Sequence, residues 1–214
     1  MAPASAIVTD VTGATAVIRF NRPAARNPLS SPILHELTNA VSSLTAREDL
    51  KAIVFTGAED VFASGADIRE LAQLDQKGAL EFSRFGQKLF QTIADARQIT
   101  IAAINGYCMG GALDLALACD LRIASPQAVF AHPGARLGII TGWGGTQRLP
   151  RLIGRAHALE LFVTSRAITS QESLRIGLVT SITKDVLASA RRLAHVIQRE
   201  KAPDKDPTPW TNQN

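Results

Sequence analysis

A single carboxylate stands inside an apolar stretch near the middle of the chain, where residues 105–120 read NGYCMGGALDLALACD. Burying a charged side chain costs free energy unless it is paired or hydrogen-bonded, so this position needs a reason. Three reasons are open at this point. Asp114 is a catalytic acid or base, it stabilises the start of a helix through the helix dipole, or it is what remains of a catalytic position that has changed.

Two loops of small residues could bind an oxygen atom through their backbone. Residues 61–67 (VFASGAD) and 105–114 (NGYCMGGALD) each lead from a predicted strand into a predicted helix. Small side chains let a ligand approach backbone N–H groups, and the first N–H groups of a helix lack acceptors within it. Each loop alone is typical of a tight strand-to-helix connection. Two such loops converging on one point would form an oxyanion hole.

Several other chemistries are excluded because the residues they need are missing or wrongly spaced. No metal-ligand spacing links the histidines, which are His35, His132, His157 and His195. No G-x-x-x-x-G-K-[ST] phosphate loop occurs, and the Gly-Trp-Gly stretch lacks the third glycine of a dinucleotide fingerprint. Ser64 lacks the preceding glycine of a nucleophile elbow. The sequence therefore predicts neither a zinc enzyme nor a P-loop enzyme.

The elements that must position these residues follow from apolar periodicity. Short apolar strands alternate with amphipathic helices, which predicts an α/β domain with right-handed crossovers. One helix is predicted to begin with Ser31 as its N-cap. A strand over 99–104 and a helix over 111–118 flank the second glycine loop, so they would position Asp114. A helix over 67–74 and a strand over 178–182 are also predicted.

Composition fits one globular domain, since 46% of the 214 residues are hydrophobic and 20% are charged, with a net charge of +4. No apolar run reaches membrane-spanning length and no signal peptide is evident, so no membrane partner is expected. Few aromatic residues and no recognisable motif argue against nucleic-acid binding. Both cysteines have apolar neighbours typical of buried thiols, which favours a reducing, cytoplasmic location. We predict a core over 1–184, a C-terminal helix over 185–201 and a loose tail over 202–214.

Four segments together resemble the crotonase superfamily, which is also called the enoyl-CoA hydratase/isomerase family. They are NRPAARNPLS (21–30), VFASGADIREL (61–71), INGYCMGGALDLALACDLRIAS (104–125) and FAHPGARLGIITGWGGTQRLPRLIG (130–154). The resemblance covers residues 6–200 and implies an α/β spiral of ββα units, here with a shortened C-terminal helical region. It also implies an acyl-CoA thioester as substrate, no cofactor beyond the coenzyme A of that substrate, and assembly as a homotrimer or hexamer.

The resemblance assigns roles residue by residue. Ala66 and Gly111 match the two amides that hold the thioester oxygen and so stabilise an enolate, and Asp114 matches the first acid/base position of family hydratases. Ordinary surface or packing roles are equal alternatives for Arg26 and His132. The residues that match substrate-binding segments are Ala24, Arg26, Ser64, Asp67, Ile68, Gly110, His132 and Gly134.

The sequence departs from the family at both carboxylate positions. Family hydratases use two glutamates that orient one water and move its protons. Here the first is Asp114, shorter by one bond of about 1.5 Å, and the second is Gly134. A misplacement of about 1 Å can cost roughly 100-fold in rate. We therefore expect an enzyme that works through an enolate, with Asp114 as its only carboxylate acid/base. The alternative is an acyl-CoA binder with little or no hydratase activity.

The reaction performed on the enolate stays open at this point. Weak hydration, slow isomerisation and decarboxylation all fit, and decarboxylation needs the oxyanion hole more than it needs a base. Thr141 and Trp143 fit packing and turn roles better than catalytic ones. If the scaffold is otherwise intact, restoring glutamate at positions 114 and 134 is expected to raise hydration.

Overall fold

In a computed structural model that describes residues 5–199, strands and helices alternate in an α/β arrangement. The strands are β1 (Ile7–Thr12), β2 (Thr15–Phe20), β3 (Pro28–Leu29), β4 (Ala52–Gly57), β5 (Val61–Ala63), β6 (Gly65–Ala66), β7 (Ile99–Ile104), β8 (Tyr107–Met109), β9 (Leu121–Ala124), β10 (Val129–Ala131), β11 (Ile168–Thr169) and β12 (Ser181–Ile182). The helices are α1 (Ser31–Thr45), α2 (Ile68–Leu71), α3 (Gln76–Ala94), α4 (Gly111–Ala118), α5 (Gly145–Ile153), α6 (Arg155–Thr164), α7 (Ser170–Arg175) and α8 (Val186–Arg199). Two short 3-10 helices cover Pro23–Ala25 and Pro133–Leu137.

The largest sheet has six strands in the order β1-β2-β4-β7-β9-β12. Only the β1–β2 hairpin is antiparallel, and the other neighbours are parallel. Parallel strands with both faces covered are rich in apolar residues, as β4 and β7 are. Alternate residues of β4 face opposite sides: Ile53 and Phe55 join the larger core with α1, α3 and α4, while Ala52 and Val54 join a second core.

Helix α8 covers the second face of the six-stranded sheet. Its buried residues Val186, Ala190 and Ala194 recur every four positions and pack in the same cluster as Val54 and Ile101. Asp185 caps this helix as predicted, because the Asp185 side chain accepts the N–H of Ala188 at 2.9 Å and the first helical residue is Val186. Residues 200–201 and the predicted tail over 202–214 lie outside the described residues.

Three local predictions were wrong at their boundaries. Helix α1 begins at Ser31 itself, because the N–H and hydroxyl of Ser31 donate to Glu70 instead of capping the helix. Helix α2 ends at Leu71, after which the backbone turns through i to i+3 hydrogen bonds. The predicted strand over 178–182 is a strand only at 181–182, because the N–H groups of residues 178 and 179 both donate to the Ser173 carbonyl.

Two small sheets bring the glycine loops together. One has the order β11-β10-β8-β5 and the other pairs β3 with β6. Strands β5 and β8 are parallel neighbours, so the segments that follow them lie side by side. Asn105, which precedes β8, joins the segment that precedes β5, since its Oδ1 accepts the Gly57 N–H at 3.0 Å and its Nδ2 donates to the Glu59 carbonyl at 2.8 Å.

Candidate active site

The backbone that follows β5 runs directly against the backbone that opens α4. A Cβ atom at Gly65 would lie 2.8 Å from the Gly111 nitrogen and 2.6 Å from the Met109 carbonyl oxygen. Only glycine permits this approach, and its φ of +86° is one that side chains disfavour. The structure thus brings together the two loops that the sequence singled out, with Ala66 and Gly111 on adjacent segments.

A cavity of about 320 Å³ opens beside these two loops. Most of its wall is apolar, with Leu71, Phe82, Ile139 and Trp143 among the larger side chains. The predicted site residues that line it are Ser64, Ala66, Ile68, Gly110, Gly111, His132 and Gly134. The remaining predicted site residues, which lie outside the lining, are Ala24, Arg26, Asp67 and Asp114.

The Gly111 amide stands at the start of α4. As the first residue of that helix, Gly111 has no acceptor for its N–H within the helix. The Gly110 N–H donates to the Ala131 carbonyl at 2.8 Å, and the Gly110 carbonyl accepts from the Asp114 N–H at 3.1 Å. These bonds hold the peptide in place, so a ligand oxygen in the cavity would meet an oriented donor.

The segment that carries Ala24 and Arg26 lies beside the cavity, although neither residue lines it. Arg26 is exposed, has a positive φ of 61° and holds its guanidinium 5.8 Å from the centre of the Tyr107 ring. Asn27, which the sequence analysis missed, fastens this segment to β5, because its Nδ2 donates to the carbonyls of Val61 and Phe62 at 3.1 Å. The sequence feature that could have revealed this role is the residue type, because asparagine tolerates a positive φ better than most residues.

Asp67 caps the start of helix α2. Its carboxylate is the N-cap of α2 and accepts the Arg69 N–H at 2.9 Å. Ile68, the first residue of that helix, is exposed and lines the cavity.

Asp114 is fully buried in the first turn of α4, behind the cavity wall. The Thr141 hydroxyl donates a hydrogen bond to Oδ2 of Asp114. The sequence predicted only a packing or turn role for Thr141, so this polar contact is an addition. Oδ1 of Asp114 has no hydrogen-bond partner among the residues described. Burial raises the pKa of Asp114 to about 7, although the Thr141 hydroxyl, the Arg148 charge and nearby backbone amides favour the anion.

His132 connects the cavity wall with Asp114. Its imidazole is buried and lines the cavity, and its Nε2 lies 3.4 Å from the Asp114 Oδ1. Within the described part of the chain, this Nε2 also lacks a hydrogen-bond partner. Its ring packs against Phe162 with the centroids 5.0 Å apart. Burial lowers the pKa of His132 to about 4, so the ring is neutral at neutral pH.

Trp143 forms the apolar end of the cavity between α3 and α4. Its Nε1 donates to the Phe82 carbonyl at 3.3 Å, and its ring meets the Phe90 ring edge to face with the centroids 5.5 Å apart. A Cβ atom at Gly86 or at Gly111 would lie 2.3 or 2.2 Å from this ring. The indole therefore occupies the space that side chains at those two glycines would fill.

The side chains and helices of residues 5–199 bear on metal binding and on membrane insertion. No group of three or more His, Cys, Asp and Glu side chains there could hold a metal ion. No helix in that range combines the length and the apolar character needed to cross a membrane.

Comparison with known proteins gives consistent matches along the chain. A family model described as Enoyl-CoA hydratase/isomerase matches residues 10–204. A short-chain-enoyl-CoA hydratase of Clostridium acetobutylicum is 37% identical over 194 residues, which cover 89% of this chain and 74% of that protein. A crotonyl-CoA hydratase of Syntrophomonas wolfei is 40% identical over 182 residues, which cover 84% of this chain and 70% of that protein. The crystal structure of an enoyl-CoA hydratase from Bacillus anthracis superimposes with a TM-score of 0.87 at 34% identity, covering 92% of this chain and 78% of that one.

Proposed function

Because the chain belongs to the enoyl-CoA hydratase/isomerase family and has the crotonase fold, we propose that it binds an acyl-CoA thioester and reacts its acyl group through an enolate. The observation that carries this proposal is the meeting of Ala66 and Gly111 at the wall of an apolar cavity. A thioester oxygen between their amides would receive two hydrogen bonds as negative charge develops on it. Removing one such donor typically costs roughly 100- to 1,000-fold in rate.

Asp114 is the carboxylate that we assign to acid/base work. No carboxylate lines the cavity among the described residues, and Asp114 lies immediately behind Thr141 and His132. A pKa of about 7 means that both protonation states of Asp114 are populated near neutral pH, which suits a general acid/base. The reaction in this proposal is hydration, which the names of the two relatives give, or isomerisation, which the family name includes.

The coenzyme A portion is proposed to leave the cavity past the segment of Ala24 and Arg26. This segment is held beside Ser64, whose N–H donates to the Asn27 carbonyl at 3.3 Å. The exposed guanidinium of Arg26 would attract the phosphates of coenzyme A. Assembly as a homotrimer or hexamer and a cytoplasmic location stay predictions.

A second function, acyl-CoA binding with little or no hydratase activity, is favoured by one observation. Position 134 lines the cavity but supplies no carboxylate, and a Cβ atom there would lie 2.6 Å from the Ile139 carbonyl oxygen. The cavity wall at position 134 therefore lacks the second carboxylate that activation of water by two carboxylates would need.

The two functions are separated by measuring binding and chemistry on the same preparation. We expect calorimetric titration to show binding of acetyl-CoA and crotonyl-CoA. We also expect exchange of the acetyl-CoA α-protons with deuterated water, followed by NMR, because an enolate must form. Binding without exchange or hydration would support the second function, acyl-CoA binding without catalysis. Failure of every CoA ester to bind would overturn both functions.

The oxyanion hole is tested by removing one amide hydrogen. Ala66→Pro deletes the N–H that we assign to the thioester oxygen, whereas Ala66→Ser keeps it. We expect proton exchange to fall by roughly 100- to 1,000-fold in Ala66→Pro and to change little in Ala66→Ser. Circular dichroism checks that both variants fold, and equal exchange rates in two folded variants would contradict this assignment.

A further inference from the structure

Two buried polar atoms lie close together behind the wall of the cavity. They are Oδ1 of Asp114 and Nε2 of His132, which lie 3.4 Å apart. Neither atom makes a hydrogen bond of full geometry among the described residues, although the backbone amides of Trp143 and Gly145 lie near the Asp114 carboxylate. Unpaired buried polar atoms are rare and costly, so a facing pair of them requires an explanation.

A proton shared between the two atoms removes both deficits. If Asp114 is protonated on Oδ1, that hydroxyl donates to Nε2 of a neutral imidazole. If the proton moves to Nε2, the imidazolium donates to the carboxylate. A contact of 3.4 Å closes to ordinary hydrogen-bond length by a shift of about half an ångström.

The position of the ring determines which partner meets a substrate. His132 lines the cavity, whereas Asp114 is fully buried and lies outside the lining. Within the part of the chain that the structure describes, His132 is the single cavity-lining side chain with an acid/base group. The acid/base group that touches an acyl-CoA is therefore not the carboxylate itself.

We propose that His132 is the catalytic residue that exchanges a proton with the α-carbon of the acyl group, and that Asp114 acts through it as a positioning residue and proton store. This inference rests on the proposed function and deepens it. It assigns a role to the histidine, for which the sequence left packing as an equal alternative.

The proton transfers balance in both directions. In the forward step the substrate Cα–H bond breaks, its proton bonds to Nδ1 of His132, and the electron pair of that bond moves onto the thioester oxygen as an enolate. The proton on Nε2 passes to Oδ1 of Asp114, so the ring stays neutral. In the return step Nδ1–H protonates carbon, and Asp114 returns its proton to Nε2.

The surroundings of the pair keep the proton on this pathway. Thr141 binds the other oxygen of Asp114, and Oδ1 is the oxygen that lies beside the ring, near the backbone of Gly145. Arg148 of α5 is the charged group that acts on Asp114, and its charge favours the carboxylate. The charge of Asp114 in turn acts on the buried thiol of Cys108 on β8. The burial that acts on Cys108 raises its pKa far enough for it to stay neutral. Phe162 covers the ring from α6 and brings no charge.

The first experiment measures the pair without any substrate. The ring carbon and nitrogen resonances of His132 are followed by NMR from pH 4 to pH 9 in the unmodified protein and in Asp114→Asn. We expect an inflection near pH 7 in the unmodified protein, where Asp114 titrates, and its loss in Asp114→Asn. Absence of that inflection in the unmodified protein would overturn the shared proton.

The second experiment measures chemistry. His132→Gln keeps a hydrogen-bonding side chain but cannot carry a proton, and His157→Gln makes the same change at an exposed histidine. We expect α-proton exchange of acetyl-CoA to fall by roughly 100- to 10,000-fold in His132→Gln, with the acetyl-CoA Kd little changed and no loss in His157→Gln. We expect Asp114→Asn to retain some exchange, with its pH inflection moved below that of the unmodified protein.

The outcomes distinguish this inference from the function on which it rests. If His132→Gln binds acetyl-CoA and exchanges its protons as fast as the unmodified protein, the carboxylate reaches the substrate by another route and the inference is wrong. If the unmodified protein binds no CoA ester, the proposed function fails instead, while the NMR titration still decides whether the pair shares a proton.

Discussion

Gly134 leaves no room for the side chain that family hydratases carry at this position. A Cβ atom there would press on the Ile139 carbonyl oxygen, and the Ile139 N–H donates to the Gly134 carbonyl at 3.0 Å, which closes the turn. The expectation that restoring glutamate raises hydration assumed an intact scaffold, and at this position the backbone has adapted to glycine. The sequence shows that position 134 lacks a carboxylate. Only the geometry of the turn shows that a larger side chain would not fit there.

Gly134→Glu is therefore expected to lower the free energy of unfolding by about 1–3 kcal/mol and to give no gain in crotonyl-CoA hydration. The measurement is urea denaturation together with a hydration assay. Ala135→Glu is the matched control, because it places the same side chain on an exposed neighbour in the same turn. Hydration that rises in Gly134→Glu without loss of stability would contradict this expectation.

The raised pKa of Asp114 makes stability depend on pH. The folded state holds the proton up to about pH 7, whereas the unfolded chain releases it near its ordinary pKa of 3.8. This contribution to stability is thus fully present below pH 3.8 and is lost as the pH rises through 7. His132 acts in the opposite sense, because its lowered pKa makes stability increase between about pH 4 and pH 6.5.

Comparing Asp114→Asn with the unmodified protein removes the titration of the aspartate while the His132 ring remains. We expect the stability of Asp114→Asn relative to the unmodified protein to rise by roughly 4 kcal/mol between pH 4 and pH 7. Above pH 7 the difference should stay constant. Chemical denaturation at pH 4.5, 6 and 8 checks this, and a difference that does not vary with pH would contradict the raised pKa.

At the scale of the elements, local patterns predicted the long strands and helices but not the short ones. The strand over 99–104 and the helix over 111–118 are confirmed, because each has an apolar pattern and clear flanking signals. Strands β5 and β8 were missed, since each has three residues and is stabilised by pairing with a segment more than forty residues away. The contact of Thr141 with Asp114 was missed for the same reason, because it crosses 27 positions of sequence.

Substitutions at Trp143 test whether its indole, packed between α3 and α4, limits the end of the cavity. Trp143→Ala removes the indole that packs between Gly86 of α3 and Gly111 of α4. We expect a loss of about 3–5 kcal/mol in stability and tighter binding of longer acyl chains relative to acetyl-CoA. Trp143→Phe, which keeps an aromatic ring, should show a smaller change in both. Calorimetry over a series of acyl lengths measures the shift, and an unchanged length preference would show that the indole does not limit the cavity.

At the scale of the whole molecule, four resembling segments in the right order predicted the crotonase fold. The same sequence predicted an amphipathic helix after residue 184 but not its partner. Helical periodicity shows that one face is apolar, whereas the surface it covers depends on the sheet, whose strands come from distant parts of the chain. The structure places that face against Val54 and Ile101.

The role of α8 as the cover of this sheet predicts a large effect from a small change. Ala190→Asp would put a carboxylate without a partner between the helix and the sheet, where the native residue is fully buried. We expect the free energy of unfolding to fall by at least about 3 kcal/mol. Arg192→Asp is the control, because the aspartate then stands at an exposed position of the same helix. Equal stabilities of the two variants, measured by thermal unfolding, would mean that α8 contributes little to the fold.

The way Asn27 and strands β5 and β8 assemble the cavity has a consequence for folding order. Asn27 bonds across 34 residues to Val61, and Val61 in turn pairs with Tyr107. Each of these contacts closes a long loop, and the entropy of loop closure must be overcome before the contact gains anything. The hairpin of β1 and β2 and the helix α1 have no such barrier, because their contacts are local. We therefore expect the cavity to be among the last parts of the molecule to form. A nascent or partly folded chain would not bind its ligand until the scaffold is almost complete.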